Sequence, residues 1–328
     1  MKNLEQDLKT GNFKQVYLLY GEEAYLRNYY KNKLKQALVS EDDTINLNTY
    51  EGKGISIPAL IDQAETMPFF AEHRLLLLED TGFFKGSCQE LAEYLPTMPK
   101  ESVMVFVESE VDKRGKLYKA VKSLGRVVEL SRQNEKVLTN WVLGLLQKEG
   151  VKITRSAMQL FLERAGDDME HIARELDKLV AYTYGREGIT AEDVDAICTV
   201  RTENKIFDMI NAIAEKKQKR ALDLYEDLLS LKEPPLRILA LIARQFNLLM
   251  QVKDLRRQGF DQGEIASRAG IMGFVVRNCL RQAEYFSEKD LRRAVEECIR
   301  TEEAVKTGRL GDRLGVEMLI VKYSGQEK

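Results

Sequence analysis

A chain of 328 residues with 44% apolar and 31% charged residues has the balance of an ordinary globular protein, long enough for two or three domains that each close a core. The formal charge of −2 and isoelectric point near 6.0 exclude a strongly basic, autonomous nucleic-acid binder, so any such contact has to come from a local patch. No apolar run approaches the roughly 20 residues needed to span a bilayer, and the opening MKNLEQDLKTGNFK lacks a secretory h-region, so a cytoplasmic protein is expected.

The first third alternates strands and helices. Val16-Tyr17-Leu18-Leu19-Tyr20 is a short apolar run that stops at Gly21, as a buried strand does. Tyr25, Leu26, Tyr29, Tyr30, Leu34 and Leu38 then recur at helical spacing. Ile45 to Tyr50 alternates and predicts a second strand, and Ile57, Leu60, Ile61 and Ala64 predict the next helix. Arg74 to Asp80, Val103 to Glu108 and Val127 to Glu129 complete a set of continuous apolar strands, which implies a parallel sheet covered on both faces over residues 1–133.

From Asn134 onward the pattern predicts helices and no strand. Val137, Trp141, Leu145 and Leu146 mark one helix, and Ile172, Leu176, Leu179 and Val180 another that contains His171. Thr190-Ala191-Glu192-Asp193 is a capping box. These elements outline a small helical domain, 134–203. The rest, 204–328, is helical as well: Pro234-Pro235 opens a long helix that is apolar nearly all round, Ser287 with Asp290 caps a later one, and Gly311 to Tyr323 supplies the last.

Enzymatic motifs are missing. After Tyr20, where a phosphate loop reads GxxxxGK followed by Ser or Thr, this chain reads Gly21-Glu22-Glu23-Ala24-Tyr25-Leu26-Arg27, with no lysine for a phosphate and two acids in its place. Glu79-Asp80 ends a strand in the manner of a magnesium-binding segment, but without a phosphate loop it reads as a solvated strand end. Cys88, Cys198, Cys279 and Cys298 are too dispersed for a zinc ribbon and read as small buried hydrophobes, and His73 and His171 are too scattered for a metal centre. No catalytic residue, metal or cofactor is expected.

One connection stands out. Met67-Pro68-Phe69-Phe70 falls between a helix and a strand, where connections normally run over the surface. Composition leaves two readings open: the phenylalanines tuck under the sheet as core, or a proline-stiffened aromatic pair projects as an anchor for a partner.

The chain resembles the delta subunit of bacterial DNA polymerase III over nearly its whole length. The resemblance rests on Val16 to Glu23 as a degenerate phosphate loop, on Met67-Pro68-Phe69-Phe70 followed by Arg74-Leu75-Leu76-Leu77-Leu78, on Asp168 to Leu179, and on Lys306-Thr307-Gly308 with Glu317-Met318-Leu319. It implies a multidomain α/β plus all-α fold: an AAA+-like parallel-sheet domain, a small helical lid domain and a C-terminal helical collar domain. It further implies a clamp-loader subunit of the DNA-directed DNA polymerase III holoenzyme that binds and opens the beta sliding clamp through Met67, Pro68, Phe69 and Phe70 without hydrolysing ATP. The implied partners are the clamp, the gamma/tau and delta-prime subunits, and primer–template DNA, with no membrane. Lys306, Arg309 and Arg313 lie near the family's DNA-facing collar loop, although this chain lacks the aromatic that some members carry there. Lys113, Arg114 and Lys116 read as a solvated helix face. An active AAA+ ATPase would need the missing lysine, and a delta-prime subunit would need a cysteine module and a Ser-Arg-Cys motif, whereas this chain has only Ser87-Cys88 and Ser131-Arg132. A helical adaptor unrelated to replication would show no affinity for the clamp.

Overall fold

The computed structural model describes residues 1–40, 42–86, 88–198 and 202–325; Ser87 of the Ser87-Cys88 pair lies outside them. Two compact units emerge, Met1–Gln133 with Asp168–Glu170, and Asn134–Asp167 with His171–Lys328.

In the first unit the elements run α1 (Lys2–Thr10), β1 (Val16–Tyr20), α2 (Ala24–Leu38), β2 (Leu47–Glu51), α3 (Ile57–Glu65), β3 (Arg74–Glu79), α4 (Gln89–Tyr94), β4 (Ser102–Glu108), α5 (Lys116–Leu124) and β5 (Arg126–Glu129). The strands form one parallel sheet in the order β2-β3-β4-β1-β5. Successive side chains of a strand point to opposite faces, so the apolar runs divide cleanly. Val16, Leu18, Leu76, Leu78, Met104 and Phe106 pack beneath α3, α4 and α5 on one face. Tyr17, Leu19, Leu75, Leu77, Val103 and Val105 pack against α1 and α2 on the other. Burying each such side chain stabilises by roughly 1.5–3 kcal/mol, which commits a continuous apolar strand to a sheet covered on both sides.

Two details depart from the sequence expectation. Helix α1 was not expected; it buries Leu4 and carries the buried Asp7, whose carboxylate meets Arg126 at 2.9 and 3.0 Å. Strand β2 begins at Leu47 rather than Ile45, because Ile45 is exposed and the Asn46 side chain bonds into neighbouring loops.

The second unit contains α6 (Glu135–Lys148), β6 (Lys152–Ile153), α7 (Arg155–Ala165), most of α8 (Met169–Tyr182), β7 (Gly188–Ile189), α9 (Ala191–Ile197), α10 (Thr202–Ala214), α11 (Gln218–Ser230), α12 (Pro235–Arg257), α13 (Gln262–Ala269), α14 (Gly273–Ala283), α15 (Glu288–Lys306) and α16 (Asp312–Ser324). The expectation of no strand is corrected by β6 and β7, which pair in parallel over two residues each, too few to leave a periodic signal. The capping boxes at Thr190 and Ser287 form, and Pro235 opens α12, whose Ile238, Ile242, Phe246 and Leu249 are fully buried. Gln282, itself buried, ties three helices of this unit together: it donates to the Phe207 carbonyl (3.0 Å) and Asn211 (2.8 Å) and accepts from Gln245 (2.7 Å).

Candidate functional site

The connection between α3 and β3 places its aromatic pair outside the core. Helix α3 ends at Glu65; Thr66 caps it with a hydroxyl that donates to the Asp62 carbonyl at 2.9 Å, and Pro68 two residues on cannot continue the helix. Ser102 holds the same helix end to β4, donating to the Ala64 carbonyl at 2.6 Å from a buried position. Beyond this anchor Met67 is 65% exposed, Phe69 57% and Phe70 95%, with Pro68 half-buried. The two rings meet edge to face with centroids 4.5 Å apart. Phe70 has φ +50°, a left-handed conformation uncommon for a bulky L residue. The rings therefore do not fill the domain's own sheet.

A buried carboxamide holds this loop. Asn46, 2% exposed, accepts from the Phe69 backbone N–H at 2.7 Å and donates to the Phe69 carbonyl at 2.9 Å. Its own backbone carbonyl accepts from the N–H of Leu75 at 2.8 Å, so the loop is referenced to β3. Asp43 orients it, accepting from the Asn46 backbone N–H (2.8 Å), its carboxamide (2.7 Å) and the Ile45 N–H (3.0 Å). Those bonds, the Asn46 backbone N–H first and its carboxamide next, hold the Asp43 carboxyl below its usual 3.8. Sequence reasoning missed both residues. Asp43 followed closely by Asn46 is a local turn signal, but the partner of Asn46 lies 23 positions away and nothing local announces it.

The phosphate-loop position is filled from within. Gly21 follows β1 with φ +131°, and a Cβ there would sit 2.4 Å from the Leu130 carbonyl oxygen. Glu22 is exposed, whereas Glu23 is 1% exposed and caps α2, accepting from the Tyr25 N–H at 3.2 Å. Arg132 donates to Glu23 at 3.1 Å and also reaches Asp168 at 3.4 Å. Burial pushes the Glu23 carboxyl above its usual 4.5, against the pull of the Arg132 charge and the Tyr25 hydrogen bond. A helix N-terminus is a natural anion site, and this one already carries its own carboxylate. Glu79, expected to be solvated, is half-buried and paired with Lys31 at 2.8 Å, while Asp80 is exposed.

Lys306, Arg309 and Arg313 are all exposed around the turn from α15 to α16. Lys306 pairs with Glu302 at 2.6 Å and Arg309 with Glu303 at 2.9 Å. Lys113, Arg114 and Lys116 are exposed as expected, with Lys113 paired to Glu129 and Arg114 to Asp112, but only Lys116 lies on α5; Lys113 and Arg114 precede it. The four cysteines are buried thiols; burial pushes Cys279 up to about 11 and Cys298 up to about 12, so neither is a ready nucleophile. Among the described residues no group of three or more His, Cys, Asp or Glu side chains could hold a metal ion. Among them, too, no helix is long and apolar enough to cross a membrane.

Residues 17–131 match the family model described as DNA polymerase III, delta subunit, and residues 203–323 match that described as DNA polymerase III delta subunit, C-terminal domain. The chain is 30% identical to DNA polymerase III subunit delta of Bacillus subtilis (strain 168), over 97% of this chain and 95% of that one. It is 22% identical to the probable DNA polymerase III subunit delta of Aquifex aeolicus (strain VF5), over 78% and 76% of the two chains. Among solved structures it is similar to the Bacillus subtilis DNA clamp loader delta protein (YqeN), with a TM-score of 0.66, 29% identity and 99% of both chains covered.

Proposed function

Because the chain belongs to the DNA polymerase III delta-subunit family, we propose that it is the clamp-loader subunit that binds and opens the beta sliding clamp, with Met67, Pro68, Phe69 and Phe70 as the docking plug. The observation that carries the reading is the exposed, edge-to-face pair Phe69–Phe70 on a loop braced at both ends. Phe70 is almost fully solvated and Phe69 more than half, so neither is committed to the chain's own core; a partner pocket that removes them from water gains up to roughly 1.5–3 kcal/mol for each ring, enough to dominate a small interface.

The same protein does not hydrolyse ATP in this reading. Hydrolysis needs positive charge and amide donors around a triphosphate, and here Glu23 and Arg132 neutralise one another at the head of α2. The family's motor is then supplied by the gamma/tau subunits, with delta-prime completing the assembly around primer–template DNA in the cytoplasm. Residues 134–203 serve as the lid and 204–328 as the collar. An apolar stripe supports a collar contact: Leu314, Met318 and Val321 recur at helical spacing on α16 and, with Ile299 of α15, are exposed. Lys306, Arg309 and Arg313 are the basic residues offered to DNA at that end of the chain.

The test is direct binding of the full chain to the sliding clamp with no nucleotide added. Tight binding by the wild type and a drop of at least about a hundredfold in Phe69→Ala/Phe70→Ala support the plug. Wild-type affinity in the double variant overturns it.

A further inference from the structure

We infer that Asn46, oriented by Asp43, is a positioning residue that sets the Phe69–Phe70 pair in its docking geometry before any partner arrives. The inference rests on the reading of that pair as the plug and adds what makes it rigid.

The chemistry of the side chain is specific. A carboxamide offers a donor and an acceptor in one plane, and Asn46 spends both on one residue, its oxygen on the Phe69 N–H and its nitrogen on the Phe69 carbonyl. An ionised carboxylate of the same shape could not donate, and an aliphatic side chain could do neither. The orientation of the amide is settled by its neighbour: the nitrogen also faces the Asp43 carboxylate at 2.7 Å, and a flipped amide would set its oxygen against that charge. Asn46 is buried, so water competes weakly for these bonds.

The need for such a brace follows from the rings themselves. Exposed side chains cannot be ordered by core packing, and a bulky residue at φ +50° persists only when its surroundings over-determine the backbone. The two bonds to Phe69 fix the peptide units on either side of it, one of which leads directly into Phe70. A plug held in this way loses less conformational freedom on docking than a mobile loop would.

The experiment uses the full chain, with amide hydrogen exchange and clamp affinity read together. In the wild type the Phe69 amide exchanges slowly. In Asn46→Ala its protection disappears while that of Leu75, which bonds the backbone carbonyl of Asn46 and not its side chain, is kept. Clamp affinity falls about tenfold, the equivalent of losing two ordinary hydrogen bonds' worth of order. Asp43→Ala leaves the Asn46 side chain in place and removes the acceptor of its carboxamide together with that of the Ile45 and Asn46 backbone N–H groups, so it reads the same effect, about threefold, should Asn46→Ala fold poorly. Wild-type affinity in both variants, with Phe69→Ala/Phe70→Ala inactive, overturns this inference and leaves the plug standing. Wild-type affinity in the double phenylalanine variant overturns the plug and this inference together.

Discussion

The carboxamide of Asn46 grips Phe69 by its backbone on both sides, taking its N–H at 2.7 Å and giving to its carbonyl at 2.9 Å, while more than half of Phe69 stays in solvent. Order and exposure usually oppose one another, because side chains are held still by being buried. Here the backbone is held by a buried polar side chain and the ring is left for another molecule. The same division recurs at the loop's other end, where Ser102 secures α3 from inside the sheet.

Phe70 stores strain that a substitution series can measure. Its φ of +50° costs an L residue about 1–2 kcal/mol and a glycine almost nothing. Phe70→Gly should therefore be more stable than Phe70→Ala by about 1 kcal/mol in chemical denaturation, although glycine normally loses to alanine. Both variants should weaken clamp binding to a similar degree. Equal stability of the two would show that the left-handed conformation is not held in solution.

Arg132→Ala should destabilise the protein by about 2 kcal/mol near neutral pH, since it leaves the buried Glu23 carboxylate without its cation. The folded-state pKa of Glu23 is raised by burial, so the stability it contributes when protonated is complete below 4.5 and lost as pH rises through the folded value. The deficit of the variant should accordingly shrink on acidification, as Glu23 takes up a proton and no longer needs a counter-charge. A deficit independent of pH would separate Arg132 from Glu23.

Asp7 responds in the opposite direction. Burial raises its pKa, but the hydrogen bond and charge of Arg126 and the Tyr17 hydroxyl outweigh that and hold it below 3.8. Its stabilisation is present above 3.8 and lost as pH falls through the lowered folded value. Asp7→Asn should cost about 2 kcal/mol at pH 7 and progressively less below about pH 4. Thermal unfolding followed across that range reads both, and a constant difference between variant and wild type would refute the pairing.

The basic turn predicts a change in salt dependence rather than in fold. Lys306→Gln/Arg309→Gln/Arg313→Gln should leave stability within about 0.5 kcal/mol, because exposed pairs such as Lys306–Glu302 contribute little. For the assembled loader on primed DNA, removing each cation that neutralises a phosphate should reduce the steepness of log affinity against log salt by about one. An unchanged slope would remove these three residues from the DNA surface.

Much of this was readable in the chain because it is encoded locally. Val16–Tyr20, Leu75–Leu78 and Val103–Val107 are apolar without alternation, and a sheet covered on both faces accommodates that. The caps at Thr190 and Ser287 and the proline at the head of α12 are local as well, since a cap needs only the next three residues. The pair Phe69–Phe70 was conspicuous as apolar residues in a connection, but whether it faced inward or outward was not.

The sequence alone determined the five strands of the sheet and the helices that carry a clear apolar stripe or a cap, and it excluded a phosphate loop, because periodicity and motif spacing act over a few residues. Tertiary structure decided everything that depends on a polar group finding a distant partner: Asn46 with Phe69, Glu23 with Arg132, Asp7 with Arg126. A hydrogen bond is directional and short, so its donor and acceptor are matched only once the fold has brought the two groups to within about 3 Å of each other.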